Sequence, residues 1–273
     1  MKISAIAILL FALLPLPRAA LAEGGCGEGG RCVVSEGYYL AEAPAGWDGE
    51  SPLPLVVFIH GWSSSPEGMF RNRALVEGIT RRGALFVAPW AQTGYWRQIG
   101  KGRAEGGRDE LAYIRAVLAD VGRRWPVDKG RSLVSGFSRG ASLVWNLACY
   151  DGGLFFAYLP IAGGFWHSNP RRCPGGAPVN LRHIHGQSDR VVALDEVGVY
   201  NSMAIPEGME ILRGLNQCPT EASAQQTHAR YSCEIWSGCA SGRQLELCLH
   251  PGGHSIPAEW VGEGYDWMIS LVE

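Results

Sequence analysis

The stretch that most restricts how this chain can fold is Gly136-Phe137-Ser138-Arg139-Gly140. It follows a short apolar run at 132–135 and precedes a helix-compatible stretch at 141–150. The reading is strand, sharp turn and helix, with a serine at the apex. A serine hydroxyl is a poor nucleophile unless something exposes it, removes its proton and stabilises the oxyanion it makes. The flanking glycines permit the tight elbow that exposes it, because a Cβ there collides with the turn.

The N-terminus bears on the compartment. Met1-Lys2 gives a short positive end, 3–14 is an almost unbroken apolar run, and Ala20-Leu21-Ala22 supplies small residues for cleavage. The pattern predicts a signal peptide over 1–22, and the run is too short to span a membrane comfortably. The mature protein, 23–273, is expected to be one exported catalytic domain, periplasmic or extracellular, with no membrane partner. Eight cysteines agree with export: Cys26, Cys32, Cys149, Cys173, Cys218, Cys233, Cys239 and Cys248. An even number in an exported chain implies disulfides, and their spacing fits no zinc site. Cys26 and Cys32 flank a glycine-rich stretch, which suits a local loop closure. If 228–236 and 243–250 form a symmetrical hairpin, Cys233 faces Cys248; Cys239 at its tip then reaches toward Cys218, and Cys149 is left with Cys173. Spacing alone leaves this connectivity open.

Alternating elements point to an α/β class. The segments 55–60 and 84–88 are continuous apolar runs, as in buried parallel strands. Apolar residues at Leu111, Ile114, Val117, Leu118 and Val121 have helical spacing within 108–124. Further strands are expected at 155–161 and 181–185, and helices at 191–201, 207–215 and 258–271. Such a series predicts a mostly parallel sheet covered on both faces, with ligand sites beyond the carboxyl ends of its strands. A net charge of −2 gives no reason to expect a nucleic-acid partner. Ten tryptophans are present, and Trp62, Trp90, Trp96 and Trp166 fall in expected loops. Core packing is the ordinary use of a tryptophan, whereas a cluster at a site mouth suits a flat, apolar or sugar-like ligand.

Three motifs fall at strand ends. Asp189, in Gly186-Gln187-Ser188-Asp189, sits just past the strand 181–185, where a carboxylate can orient an imidazole and stabilise its cation. Capping the helix expected near Val191 is its duller use, and Asp195 is a rival acid placed within that helix. His254 lies between the last strand and the last helix, so the order is Ser138, Asp189, His254. That order is the one α/β-hydrolases use. His250 reads as a packed structural histidine, and His167, His183, His185 and His228 have no comparable context. His60-Gly61-Trp62 follows the first strong strand, where a backbone N–H of Trp62 would join that of Arg139 as an oxyanion hole.

On these residues the chain resembles the exported α/β-hydrolase esterases that include polyhydroxybutyrate depolymerases, feruloyl esterases and acetyl xylan esterases of carbohydrate esterase family 1. The resemblance runs from about Gly37 to Trp267. It rests on Phe58-Ile59-His60-Gly61-Trp62, on Trp125-Pro126-Val127-Asp128 through the elbow, on His185-Gly186-Gln187-Ser188-Asp189-Arg190-Val191-Val192, and on Gly252-Gly253-His254-Ser255-Ile256-Pro257. Asn216-Gln217-Cys218 with Trp236-Ser237-Gly238-Cys239 is also similar to the group and supports a Cys218–Cys239 bridge. The resemblance implies a disulfide-stapled α/β-hydrolase fold and serine-dependent hydrolysis of carboxylic esters through an acyl-enzyme, with no cofactor or metal. Hydroxyalkanoate oligomers, or feruloyl or acetyl esters of polysaccharides, are the implied substrates.

The chain also departs from the group: Ala141 stands where a second glycine is usual, and Ile256 where tryptophan is. Arg139 replaces a small or neutral residue. Its side chain either lines the pocket toward a carboxylate-bearing substrate or forms an ion pair that orders the elbow. His60, Gly61, Trp62, Trp90, Trp96, Arg139 and Trp166 are the pocket candidates. The same triad would also serve an acyltransferase or a peptidase, and a non-catalytic binder of glycan or polyester could keep the fold.

Overall fold

The computed structural model describes residues 26–99, 106–174 and 176–272. The expected signal peptide, 1–22, lies outside them. The described residues build one ten-stranded sheet. Its strands are β1 (Cys32–Val34), β2 (Gly37–Glu42), β3 (Leu53–Ile59), β4 (Leu85–Pro89), β5 (Val127–Phe137), β6 (Ala157–Ile161), β7 (Asn180–Gly186), β8 (Ala224–Thr227), β9 (Ser232–Trp236) and β10 (Leu245–His250). They lie in the order β1-β2-β4-β3-β5-β6-β7-β10-β9-β8. Six consecutive strands, β4-β3-β5-β6-β7-β10, pair in parallel, and antiparallel strands flank them on both sides.

Among the described residues six α-helices accompany the sheet: α1 (Pro66–Arg71), α2 (Arg73–Thr80), α3 (Glu110–Arg124), α4 (Arg139–Tyr150), α5 (Ile205–Asn216) and α6 (Glu259–Ser270). The two-residue period of the strands divides the core. Leu55, Val57 and Ile59 of β3 join one cluster with Ile114, Val117, Leu143, Trp145, Met209 and Leu212, which come from α3, α4 and α5. Val56 and Phe58 point the other way, into a cluster with Leu75, Val76 and Ile79 of α2 and Trp260, Val261 and Met268 of α6. Every residue of β3 is buried because both faces of the strand are covered. That is the physical reason it reads as an unbroken apolar run.

At the C-terminal flank, β10 and β9 pair with Cys248 directly opposite Cys233, and the two are bridged. The other bridges are Cys26–Cys32, Cys149–Cys173 and Cys218–Cys239.

The helix expected at 191–201 does not form. Its first two N–H groups, on Val191 and Val192, bond the Asp189 carboxylate (2.8 and 2.9 Å), and the Leu194 carbonyl accepts from Ile205. Val192 and Ala193 are buried while Val197, Val199 and Tyr200 are exposed, so the apolar residues share no continuous helical face. Tyr200 and Asn201 adopt positive φ, which also breaks a helix. Among the described residues, no helix is long and apolar enough to cross a membrane.

Candidate active site

β5 and α4 meet at Ser138, whose backbone has φ 54° and ψ −118°. This is an uncommon conformation for a residue with a side chain. It is held because β5 and α4 run almost into contact with the end of β3. A Cβ at Gly140 would lie 2.1 Å from the Ile59 carbonyl oxygen, and one at Gly136 would lie 2.8 Å from the Gly140 backbone. Only glycine permits that approach. Ala141, in place of a second glycine, is accommodated because Gly163 has no side chain: a Cβ there would come 2.6 Å from the Ala141 methyl.

Beyond the ends of β5, β7 and β10 the three expected side chains converge. His254 Nε2 is 2.8 Å from Ser138 Oγ, and His254 Nδ1 is 2.7 Å from Asp189 Oδ2. Asp189 is buried, and its other oxygen accepts the N–H groups of Val191 and Val192. Burial pushes its carboxyl up, but the hydrogen bonds from His254 and from these two N–H groups outweigh it, and the net shift is downward. The acid is therefore ionised at neutral pH. It bonds the two N–H groups as an N-cap would, although no helix follows. Asp195, the rival acid, is exposed.

His250 packs on Trp260 with ring centroids 4.7 Å apart, and its Nδ1 accepts the Gly252 N–H at 3.1 Å. It is a structural histidine, as read from its place at a strand end. His183 and His185, by contrast, lie directly beneath the site. Ring contacts run from the Pro160 carbonyl to His183 (3.0 Å), to His185 (3.0 Å) and to the Val192 carbonyl (2.8 Å), and His185 Nε2 is 3.8 Å from Asp189 Oδ2. Burial pushes both imidazoles down, His183 furthest. The pair thus buttresses the Asp189 loop. The signal that points to it is the alternation of His183 and His185 on one face of a buried strand.

Two cavities meet at Ser138. One, of about 300 Å³, is walled by Trp62, Tyr95, Arg139, Trp166, Val199 and Tyr200. The Arg139 guanidinium lies 4.4 Å over the Trp166 ring, and its Nε donates to the Trp96 carbonyl at 2.5 Å. The Arg139 side chain thus lies in the pocket wall. The second cavity, of about 440 Å³, lies on the other side and includes His254. Trp62, Ser138 and Val191 border both.

Three of the pocket candidates are not in either wall. Trp96 is fully buried, and its indole N–H donates to the His60 carbonyl at 2.8 Å, supporting the loop from below. His60 is also fully buried, beside that indole. Trp90 stacks on Tyr38 at 5.5 Å, near β2. Each carries a large ring that is better used in packing than at a wet mouth. Gly61 does border the His254 side, and a Cβ on it would be 3.6 Å from Ser138 Cβ, so the loop carrying Trp62 passes beside the elbow. Tyr95, Val199 and Tyr200 complete the walls without any motif to mark them. Cys233, Glu246 and Cys248 are the one group among the described residues with donors close enough for a metal, and the two sulfurs are bonded to each other.

No family model matches the chain. It is 26% identical to feruloyl esterase C of Emericella nidulans over 224 residues, 79% of this chain and 75% of that protein. It is 25% identical over 272 residues to a probable feruloyl esterase C of Aspergillus oryzae, covering 93% of each chain. Among solved structures, an acetyl xylan esterase from Aspergillus awamori superposes with a TM-score of 0.62 at 14% identity, over 85% of this chain and 94% of that one. The parallel sheet, the helices on both its faces and this superposition establish the α/β-hydrolase fold.

Proposed function

We propose that this carboxylic ester hydrolase of the α/β-hydrolase fold, similar to feruloyl and acetyl xylan esterases, works through Ser138, His254 and Asp189 as nucleophile, general base and orienting acid. The observation that carries the proposal is the unbroken contact from Ser138 Oγ through His254 to the Asp189 carboxylate. His254 takes the Ser138 proton as the oxygen attacks the ester carbonyl. The ionised Asp189 holds the imidazole in one tautomer and stabilises its cation. Arg139 opens α4, so its N–H has no helical carbonyl to bond, and with the N–H of Trp62 it binds the oxyanion. His254 then protonates the leaving alcohol, and water attacking by the reverse path frees the acid.

The cavity walled by Trp62, Tyr95, Trp166 and Tyr200 takes the acyl group. Its rings suit a planar aromatic acyl such as feruloyl better than acetyl, which would leave most of it empty. The bridged cysteines and the apolar N-terminal run support an exported protein whose residues 23–273 form one catalytic domain.

The test is turnover of methyl ferulate, p-nitrophenyl acetate, acetylated xylan and soluble 3-hydroxybutyrate oligomers by the protein and by Ser138→Ala. The substitution should lower kcat by about 10⁴-fold or more and abolish labelling by a fluorophosphonate. Full activity in a folded Ser138→Ala protein sinks the mechanism. A competing alcohol that captures most of the acyl group would make the enzyme a transferase.

A further inference from the structure

We infer that the cavity on the His254 side of Ser138 is a leaving-group subsite built for an apolar alcohol, alkyl or aryl, rather than for a sugar. This rests on the serine mechanism above. In that mechanism the oxygen that departs takes its proton from His254 Nε2, so it must come within hydrogen-bond reach of that atom. The alcohol portion of the ester therefore projects into whatever space adjoins His254. That space is the cavity of about 440 Å³, and Arg139, Tyr95 and Trp166 border only the other one.

The chemistry of its wall is unlike that of the acyl side. Phe58, Met69, Leu75, Phe137, Ile256 and Ala258 supply it, from β3, α1, α2, the end of β5 and the segment between β10 and α6. Apart from the reacting groups, the polar side chains there are Ser64 and Asn72. The Asn72 side-chain oxygen caps α2 by accepting the Leu75 N–H, which leaves its amide N–H groups and the Ser64 hydroxyl as the side-chain partners this wall offers. A sugar alcohol would bring several hydroxyls into this wall, and each one stripped of water without a partner weakens binding. An alkyl or aryl alcohol has no such groups and gains from burying its surface. Trp62 and Val191 border both cavities and form the divide over which the ester carbonyl lies. Ile256 adds an aliphatic side chain to this wall.

The experiment is a series sharing one acyl group: methyl, butyl, hexyl and benzyl ferulate beside feruloylated arabinose. A common acyl-enzyme makes kcat converge across the series where deacylation limits, so kcat/KM carries the readout. We expect kcat/KM to rise on the order of 30-fold from methyl to butyl, given roughly a threefold gain for each of the three added methylenes that is buried. Butyl and benzyl esters should exceed the arabinose ester. Ile256→Ser and Met69→Ser should each reduce the butyl-to-methyl ratio, one reading α1 and the other the segment after β10. A flat series, or preference for the arabinose ester, with turnover still dependent on Ser138 overturns the subsite alone. Turnover independent of Ser138 overturns the serine mechanism and the subsite with it.

Discussion

β5 and β10 belong to one sheet with β6 and β7 between them, and each leads into a residue of the site, but they are held by different means. The stretch 132–136 of β5 is covered on both faces. Leu133 points toward the α2 and α6 side and Val134 toward the α3 and α4 side, and both are fully buried. No cysteine lies in β5 or its neighbours β3 and β6. β10 backs onto β9, whose Ser232 and Glu234 are exposed, and beyond it onto β8, which is exposed along its whole length. Here two of the four bridges are concentrated: Cys233–Cys248 ties β9 to β10, and Cys218–Cys239 ties the segment after α5 to the one after β9. Where helices cover both faces, burial alone holds the strand. Where the sheet thins to a polar edge, covalent links limit the unfolded chain instead. The site straddles the two regimes, with Ser138 on the packed side and His254 carried by the segment after the stapled strand.

The largest expected effect tests whether the packed side carries chemistry separable from its stability. Asp189→Asn keeps an oxygen for the Val191 and Val192 N–H groups but presents His254 with the wrong partner. It should lower kcat by about 10⁴-fold and shift the melting temperature by no more than a few degrees. A collapse of both together would make Asp189 a folding residue first. Next, replacing Cys233 and Cys248 together by alanine should remove about 2–4 kcal/mol in denaturant unfolding. Some activity should go with it, because β10 leads into His254, while fluorophosphonate labelling of Ser138 persists at a slower rate. An unchanged unfolding midpoint would erase the contrast between the two regions.

The most gradual effect is acid sensitivity seated in the packed half. Burial holds His60, His183 and His185 below the ordinary imidazole value of 6.5 in the folded protein. Below pH 6.5 the unfolded chain therefore binds protons that the folded one does not, and stability falls as pH falls, by up to about 1.4 kcal/mol per pH unit for each ring. The Asp189 carboxyl, shifted below its ordinary 3.8, adds a second loss at more acid pH, as pH drops through its folded value. Melting curves from pH 8 to 5 should show the first decline, and His183→Asn should flatten it. A melting temperature constant across that range would show that these rings do not stay neutral in the fold.

The central strands are legible in the sequence because coverage on both faces turns them into apolar runs, and helical spacing marks 108–124. The proposed triad is legible for a related reason: Ser138, Asp189 and His254 each lie within four residues of a strand's end, and the chain order is informative. α1 and α2 are six and eight residues long, too short for a periodic pattern to stand out. The pocket walls are less legible still. Tyr200 reaches Trp62, with ring centroids 5.9 Å apart, from a loop whose apolar residues imitate a helix. That loop is placed by pairing between Trp166 and Ser202, a contact between segments far apart in sequence. Trp90 and Trp96 sit in loops as expected, yet a loop tryptophan can turn inward as readily as toward a ligand.

The backbone at Ser138 has a consequence for anyone improving this protein. Ser138, the proposed nucleophile, is held at positive φ, a conformation that glycine adopts without penalty and serine does not. Its side chain makes no capping bond to α4, so removing it forfeits nothing there. Selection for heat resistance alone would thus reward glycine at the very position where glycine ends the chemistry. Variants of this chain have to be sorted by turnover before they are sorted by temperature.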